Sequence, residues 1–86
     1  MLITDTGSFG TAIRNRRKEL GYTQAFLSQI SGFSVSFLSD LENGKETAEL
    51  GRALRLAQLL GLDCQLQARE KFRGFTVPES REDDRL

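Results

Sequence analysis

The polar residues best suited to bind a ligand lie in two short stretches. The first, RNRRK at residues 14–18, carries four basic side chains in five positions. The second, SVSFLSDLENGK at residues 34–45, offers serines, an asparagine and two carboxylates, and its first eleven residues contain no lysine or arginine. Basic side chains bind phosphate oxygens, whereas hydroxyl, amide and carboxylate groups can hydrogen-bond to the edges of bases. The two stretches could therefore divide the contacts to a nucleic acid between them.

Residue composition gives little support to enzymatic chemistry. The chain has no histidine, one tyrosine and one cysteine, so acid–base catalysis would depend on surface carboxylates and Tyr22. A single cysteine cannot close an internal disulfide, and no cysteine and histidine cluster offers a metal site. Cys64 alternates with polar residues in step with Leu62 and Leu66, which predicts a buried, unreactive thiol. We expect neither an enzyme nor a bound cofactor or metal.

Length and charge indicate one small domain. A chain of 86 residues buries only about 60 to 65% of the surface that its unfolded state exposes, so its stability is expected to be modest. Twelve basic and twelve acidic residues cancel, and only the placement of the charges can indicate a ligand. Neither an export signal nor an apolar run long enough to cross a bilayer occurs. This favours a cytoplasmic protein without a membrane partner.

Hydrophobic periodicity predicts four helices within residues 1–61, which we expect to form one folded domain. The first helix covers residues 7–20 and stops at Gly21, and only Gly32 and Phe33 separate the short second and third helices. The N-cap residues expected for helices two, three and four are Thr23, Ser34 and Thr47. The residues expected to end helices three and four are Asn43, Gly44 and Gly61. The apolar residues expected on the buried stripes are Phe9, Ile13, Leu20, Leu27, Ile30, Leu38, Leu41, Leu50, Ala53, Leu54, Ala57 and Leu60.

Residues 62–69 change to a period of two, which predicts a β-strand with one apolar face. The residues on that face are Leu62, Cys64, Leu66 and Ala68. A lone strand leaves its backbone groups unpaired, and the same strand of a second copy can satisfy them. We therefore predict a homodimer joined by a two-stranded ribbon. The alternative is pairing within one chain, with residues near Ile3 or with residues 72–77.

The C-terminal tail, residues 70–86, combines an apolar cluster with a charged end. Phe72, Phe75 and Val77 form the cluster, and Pro78 separates it from the charged residues. The cluster could dock on a partner protein, or it could belong to a flexible tail. We expect disorder in residues 79–86 because they contain few apolar groups to bury.

Two short helices joined by a tight turn with a glycine form a helix-turn-helix. Residues 13–60 resemble the Xre or lambda-repressor-like helix-turn-helix family, since GYTQ, ISGFS and LENGK stand in the family's order and spacing. The longer pattern ENGKETAELGRALRLAQLLGLDCQL, which continues into the alternating strand, is similar to HipB-like antitoxins of type II toxin–antitoxin systems. The resemblance implies a mainly α fold, in which residues 1–61 form a four- to five-helix lambda-repressor-like helix-turn-helix domain that binds DNA. The short C-terminal β-strand that we predict to pair in a homodimer follows this domain.

The resemblance also implies roles for individual residues. Gln24 is expected to contact phosphate and to brace the third helix, and Arg17 is expected to pair with Glu42. The expected base-contacting residues are Val35, Ser36, Phe37, Ser39 and Asp40. The sequence departs from the family at Val35 and Asp40, where many relatives carry a basic or amide side chain.

Helical geometry separates the third helix into a buried and an outward face. At about 100° per residue, Ser34, Leu38 and Leu41 point inward, whereas Ser36, Ser39, Asp40 and Asn43 point outward. Phe37 lies on a flank, where it could pack in the core or contact a thymine methyl group. Asp40 could accept a hydrogen bond from cytosine N4 or simply be tolerated at the edge of the groove. The expected phosphate contacts are Gln24, Arg14, Lys18, Asn43 and Lys45, although each charged one could also be an ordinary solvated residue.

These features predict a sequence-specific DNA-binding transcriptional repressor. The resemblance implies a HipB-like antitoxin that represses its own operon and binds a HipA-like kinase toxin. A dimer would bind a palindromic double-stranded operator whose half-sites lie about 34 Å apart. The alternatives are a helix-turn-helix protein-interaction module and a stand-alone regulator without a toxin partner.

Overall fold

The computed structural model describes residues 2–78, in which four α-helices form the folded part. The helices are α1 (Thr6–Glu19), α2 (Gln24–Ser31), α3 (Val35–Glu42) and α4 (Leu50–Leu59). Helix α3 packs against both α1 and α2. The predicted mainly α architecture is confirmed, and no fifth helix occurs within the described range. The disorder expected for residues 79–86 concerns a segment outside the described residues.

Side-chain caps define where the first three helices begin. The Thr23 hydroxyl accepts a hydrogen bond from the Phe26 N–H, and the Ser34 hydroxyl accepts one from the Phe37 N–H, each at 3.0 Å. Both predicted caps are therefore confirmed. At α1, Asp5 and Ser8 form a reciprocal capping box, in which the Ser8 N–H donates to the Asp5 carboxylate at 2.7 Å. Each cap satisfies backbone donors that the first turn leaves without an intrahelical partner.

The prediction that Thr47 begins the fourth helix is wrong. Helix α4 begins at Leu50, and its N-cap residue Glu49 makes no side-chain capping bond. The preceding residues form a turn, in which the Ala48 N–H donates to the Lys45 carbonyl at 3.3 Å. Ala48 also packs against the core from this turn. Because the turn packs on the core, the helix begins three residues after Thr47, the residue that local capping preference favours.

Within residues 2–78, nine buried apolar residues form one core, to which all four helices and the turn before α3 contribute. They are Ile13, Leu27, Phe33, Leu38, Leu41, Ala53, Leu56, Ala57 and Leu60. Arg16 joins α1 to the end of α4, because its Nε donates to the Leu60 carbonyl at 2.9 Å. Partial burial of Phe9, Tyr22 and Leu62 extends the core at its edges.

Four residues predicted on the buried stripes are instead exposed. They are Leu20, Ile30, Leu50 and Leu54. On α4 the stripe runs through Ala53, Leu56, Ala57 and Leu60. Leu54 lies on the flank of that stripe, and Leu50 lies in the first turn, where 70% of its surface remains exposed. Helical periodicity is compatible with a stripe that includes Leu54 and with a stripe that includes Leu56. Packing of α4 in the core buries the stripe that includes Leu56.

The segment after α4 forms no strand within the described residues. Leu62 is half-buried, whereas Cys64, Leu66 and Ala68 are exposed. Neither of the intrachain pairings considered, with residues near Ile3 or with residues 72–77, is present. The prediction of a buried Cys64 thiol is thus wrong for a single chain, because no second strand covers it.

The described chain is elongated because this segment leaves the helical body. Its radius of gyration is 17.0 Å and its longest extent is 54 Å, whereas a compact chain of this length has a radius near 12 Å. Within residues 2–78, no helix is both long and apolar enough to cross a bilayer. The same residues contain no cluster of side chains suited to hold a metal ion.

Gly10 lies where α1 crosses the end of α3, and it leaves no room for a side chain. A Cβ at this position would lie 2.7 Å from the Glu42 carbonyl oxygen and closer still to that of Leu41. Both neighbours are backbone atoms, which cannot rotate away. Gly10 therefore permits the close approach of α1 and α3 on which the position of α3 depends.

We expect Gly10→Ala to lower the free energy of unfolding by about 3 kcal/mol, because the added methyl group must push two helices apart. Urea denaturation followed by circular dichroism measures this change. Gly51→Ala is the matched control, since a Cβ at that position in α4 meets no atom within 4 Å. The control should be neutral or stabilising by up to about 1 kcal/mol. Equal effects of the two substitutions would contradict the close approach at Gly10.

Candidate nucleic-acid interface

The side chain of Glu42, in the last turn of α3, is fully buried and accepts hydrogen bonds from α1 and α2. Arg17 donates from Nε at 2.7 Å and from Nη2 at 3.0 Å, one bond to each carboxylate oxygen. Gln24 donates from Nε2 at 3.2 Å, and Arg14 donates from Nε at 3.4 Å. The remaining Nη1 of Arg17 donates to the Tyr22 carbonyl at 2.8 Å. This arrangement, the Glu42 network, connects three helices through one carboxylate.

Electrostatics keeps the Glu42 carboxylate ionised despite its burial. Loss of solvent raises its pKa, but the hydrogen bonds from Arg17, Gln24 and Arg14, together with the Arg17 charge, outweigh that effect and hold the pKa below its ordinary value. The bonds to Glu42 correspondingly raise the pKa of Arg17. A buried carboxylate with paired oxygens is stable, whereas the same group without its partners would be strongly unfavourable.

The turn between α2 and α3 is held by the small residues that the sequence places there. Gly32 adopts a left-handed conformation with φ of +80°, which lets the chain reverse direction in very few residues. The Ser28 hydroxyl donates to the Phe33 carbonyl at 2.6 Å, and the Phe33 N–H donates to the Ser31 hydroxyl at 3.1 Å. These serines therefore supply hydrogen-bond partners to backbone groups of the turn. Their small side chains also permit close approach of the two helices.

The outward face of α3 carries most of the residues predicted to contact bases. Val35 and Ser36 are exposed, and Ser39 and Asp40 are half-buried. Asn43 is exposed at the end of the helix, where its Nδ2 donates to the Ser39 hydroxyl at 3.4 Å. The structure thus places four of the five candidates, together with Asn43, on one accessible surface.

Phe37, the fifth candidate, packs on the α4 side of the helix. Its ring centroid lies 4.9 Å from that of Phe33, and the Arg52 guanidinium lies 4.4 Å from the Phe37 centroid. Both contacts cover surface that would otherwise be free to meet a base. Phe37 is half-buried, and stacking between an aromatic ring and a cation holds its side chain in place. Of its two considered roles, the contacts favour packing over a contact to thymine.

The residues predicted to contact phosphate surround α3, and most of them are held by neighbours. Arg14 bonds to Glu42 and, at 3.4 Å, to Asn43 Oδ1. Gln24 bonds to Glu42. The Lys45 ammonium lies 3.3 Å from the Asp40 carboxylate. Lys18, on the outward face of α1, is exposed and takes part in none of the ion pairs found among residues 2–78.

The candidates for dimerisation and partner binding lie in the segment after α4. Leu66, Phe72, Phe75 and Val77 are all exposed, Phe72 the least of the four. Arg69 stacks on the Phe72 ring, 4.8 Å from its centroid. The structure does not bring these apolar side chains onto the helical core, so each remains available to another molecule.

Comparison with known proteins identifies the family. A model described as helix-turn-helix matches residues 13–67. Over 66 residues the chain is 35% identical to an uncharacterized HTH-type transcriptional regulator, y4mF, of Sinorhizobium fredii. The matched region covers 77% of this chain and 87% of that protein. The chain belongs to the helix-turn-helix family. The Xre-like resemblance predicted from GYTQ, ISGFS and LENGK is thereby confirmed.

Two further proteins extend the comparison. The chain is 34% identical over 62 residues to the ImmF control region 10 kDa protein of Bacillus phage phi105, covering 72% of this chain and 69% of that protein. The fold of the present chain is similar to that of a HipB variant, which was solved in complex with the O2 20mer. The TM-score is 0.73 and the sequence identity is 24%. The likeness covers 81% of this chain and 97% of that one. It shows that the two proteins share a fold.

We expect Glu42→Gln to destabilise the fold by about 3 kcal/mol, because it leaves the buried Arg17 charge without its partner. Urea denaturation at neutral pH measures the difference. Glu19→Gln is the matched control, since Glu19 pairs with Arg16 at 2.6 Å but is 67% exposed. The control should cost no more than about 1 kcal/mol. A loss for Glu42→Gln as small as that of the control would contradict the structural importance of the network.

The same network predicts how stability depends on pH. Because the folded state lowers the Glu42 pKa, the stabilisation is complete above the unfolded pKa of about 4.3 and is lost as the pH falls through the folded value. Denaturation at pH 7 and at pH 3 should show this acid-dependent loss in the wild type and a smaller loss in Glu42→Gln. Asp5, whose pKa is lowered mainly by the bond from the Ser8 N–H, remains as an acid-sensitive group in both proteins.

Proposed function

We propose that the protein is a sequence-specific DNA-binding transcriptional repressor that reads the major groove with α3. The observation that carries this proposal is the outward face of α3, where Ser36 is exposed and Ser39 and Asp40 are half-buried, while the Glu42 network holds the last turn of the helix against α1 and α2. An α-helix fits the major groove, and hydroxyl and carboxylate groups can hydrogen-bond to base edges there. The relatives that are named as a transcriptional regulator and as a phage control-region protein support this function.

Phosphate contacts from neighbouring helices explain how a helix without basic residues can bind a polyanion. Lys18 and Arg14 lie on α1, and Lys45 follows α3. We assign these three side chains to the phosphate backbone beside the groove that α3 would enter. Half or more of the hydrogen bonds in protein–DNA complexes go to phosphate and sugar, and they position the helix without reading sequence. The net charge of zero is therefore compatible with DNA binding.

Lys18→Gln is expected to weaken binding to the DNA upstream of the protein's own gene by about fivefold per subunit at physiological salt. The log–log dependence of affinity on salt should become shallower by about 0.9 per subunit, because one phosphate contact is lost. Fluorescence anisotropy over a range of NaCl concentrations measures both. Lys71→Gln, an equal change of charge in the C-terminal segment, should leave the affinity unchanged. Absence of salt-dependent binding by the wild type would sink the proposed function.

We further propose that the protein is a HipB-like antitoxin, which represses its own operon and binds a HipA-like kinase toxin. The fold shared with HipB supports this role. The exposed apolar cluster Phe72, Phe75 and Val77 supports a partner-binding tail, since apolar side chains left in water favour association. Residues 62–69 would pair with the same strand of a second copy, which would bury Cys64 and Leu66 and give a homodimer suited to a palindromic operator.

Truncation after Ala68 separates these roles. The shortened protein should still dimerise and bind DNA but should lose its protein partner in co-purification from the native host. Phe72→Ser with Phe75→Ser in the full-length chain should reproduce the loss, because it removes the apolar surface alone. Retention of the partner by both variants would exclude the tail as the binding site. Recovery of DNA without any kinase-like protein would favour the alternative of a stand-alone regulator, and recovery of a partner without DNA would favour an interaction module.

A further inference from the structure

The end of α3 places Asp40 and Lys45 together through the backbone. The helix terminates in a Schellman motif, in which the Gly44 N–H donates to the Leu41 carbonyl and the Lys45 N–H donates to the Asp40 carbonyl, each at 3.0 Å. Gly44 adopts the left-handed conformation that this motif requires, with φ of +79°. The Lys45 backbone is thus bonded to the residue whose carboxylate its ammonium meets at 3.3 Å.

Tertiary contacts hold this helix end against α1, so the pair has a fixed location. The Thr6 hydroxyl donates to the Gly44 carbonyl at 2.9 Å. A Cβ on Gly44 would lie 2.9 Å from Gly7 Cα, which shows how closely the turn meets the first turn of α1. The two charged side chains themselves remain accessible, since 47% of Asp40 and 53% of Lys45 are exposed. The backbone is therefore constrained while the ion pair can still exchange partners.

We propose that Asp40 is a specificity-determining residue. Its ion pair keeps Lys45 away from phosphate until a hydrogen bond from cytosine N4 to the Asp40 carboxylate replaces that pair. This inference rests on the proposed DNA binding through α3. On DNA without a suitable cytosine, Asp40 keeps Lys45 and one phosphate contact is missing. At a site where cytosine N4 donates to Asp40, the Lys45 ammonium is released to the phosphate backbone. Asp40 would thus weaken binding to wrong sequences and permit full binding to the right one.

The strength of the pair suits such an exchange. An ion pair between exposed side chains contributes little stability, so a phosphate and a base donor together can replace it. Carboxylates accept hydrogen bonds from cytosine N4 in the major groove, and a lysine released to a phosphate displaces a counterion. Discrimination between sequences can come from a penalty on wrong partners as well as from contacts to the right one. An acid on a DNA-reading helix supplies such a penalty.

The test compares two duplexes and uses Asp40→Ala. The first is an alternating A·T duplex, which contains no cytosine, and the second is a duplex enriched by the wild type from a randomised pool. On the A·T duplex, Asp40→Ala should bind about fivefold more tightly per subunit, with a salt dependence steeper by about 0.9 per subunit. On the enriched duplex it should bind more weakly than the wild type. The ratio of the affinity for the enriched duplex to the affinity for the A·T duplex should therefore be lower for Asp40→Ala than for the wild type, by at least about tenfold.

Two further proteins distinguish exchange of Lys45 from simple repulsion between an acid and DNA. In a Lys45→Gln background, Asp40→Ala should no longer increase the salt dependence on the A·T duplex. Glu46→Ala, which removes an exposed acid that forms none of the ion pairs found in residues 2–78, should leave the ratio of affinities unchanged. An equal gain with and without Lys45, or an unchanged ratio for Asp40→Ala, overturns the role of Asp40 while DNA binding stands. If the wild type binds neither duplex, the proposed function fails and this inference fails with it.

Discussion

The buried Glu42 carboxylate is the constraint on which the arrangement of the helices depends. Apolar contacts from Leu38 and Leu41 attach α3 to the core, but apolar surfaces tolerate small rotations because the hydrophobic effect is not directional. A buried carboxylate is different, since each of its oxygens must keep its hydrogen-bond donors. The bonds from Arg17 and Gln24 therefore determine which face of α3 turns outward. Close packing at Gly10 brings α1 near enough for these bonds to form.

Charge in this protein is organised locally, which explains how a neutral chain can carry a nucleic-acid interface. Both acids of α3 have a basic partner: Glu42 pairs with Arg17, and Asp40 pairs with Lys45. The helix therefore does not present a negative surface, despite its lack of basic residues. On the α4 side, Arg52 lies over the Phe37 ring. The polar face of α3 is thus bordered by cations on neighbouring elements, a distribution that is compatible with phosphate contacts.

The segment after α4 differs from the helical body in that most of its apolar side chains are not buried within one chain. Its apolar residues, among them Leu66 and Phe75, remain exposed in a single chain, and its backbone finds no strand partner among the described residues. Isolated strands are unstable because each backbone group that leaves water needs a partner. An alternating sequence at the edge of a small domain therefore favours association, either with a second copy or with another protein.

The sequence by itself determined the features that depend on near neighbours. Thr23 and Ser34 cap their helices, and Gly32 and Gly44 end theirs, because capping and left-handed turns involve residues only a few positions apart. Tertiary structure decided the rest. Nothing local distinguished Leu54 from Leu56 as the buried residue of α4 or marked Gly10 as a contact to α3. The pairing of Arg17 with Glu42 was expected from the family resemblance, but no local pattern showed that Gln24 and Arg14 would donate to the same carboxylate. Those outcomes depend on residues that are distant in the chain and meet only after folding. The pairing that we propose for residues 62–69 would in addition require a second molecule.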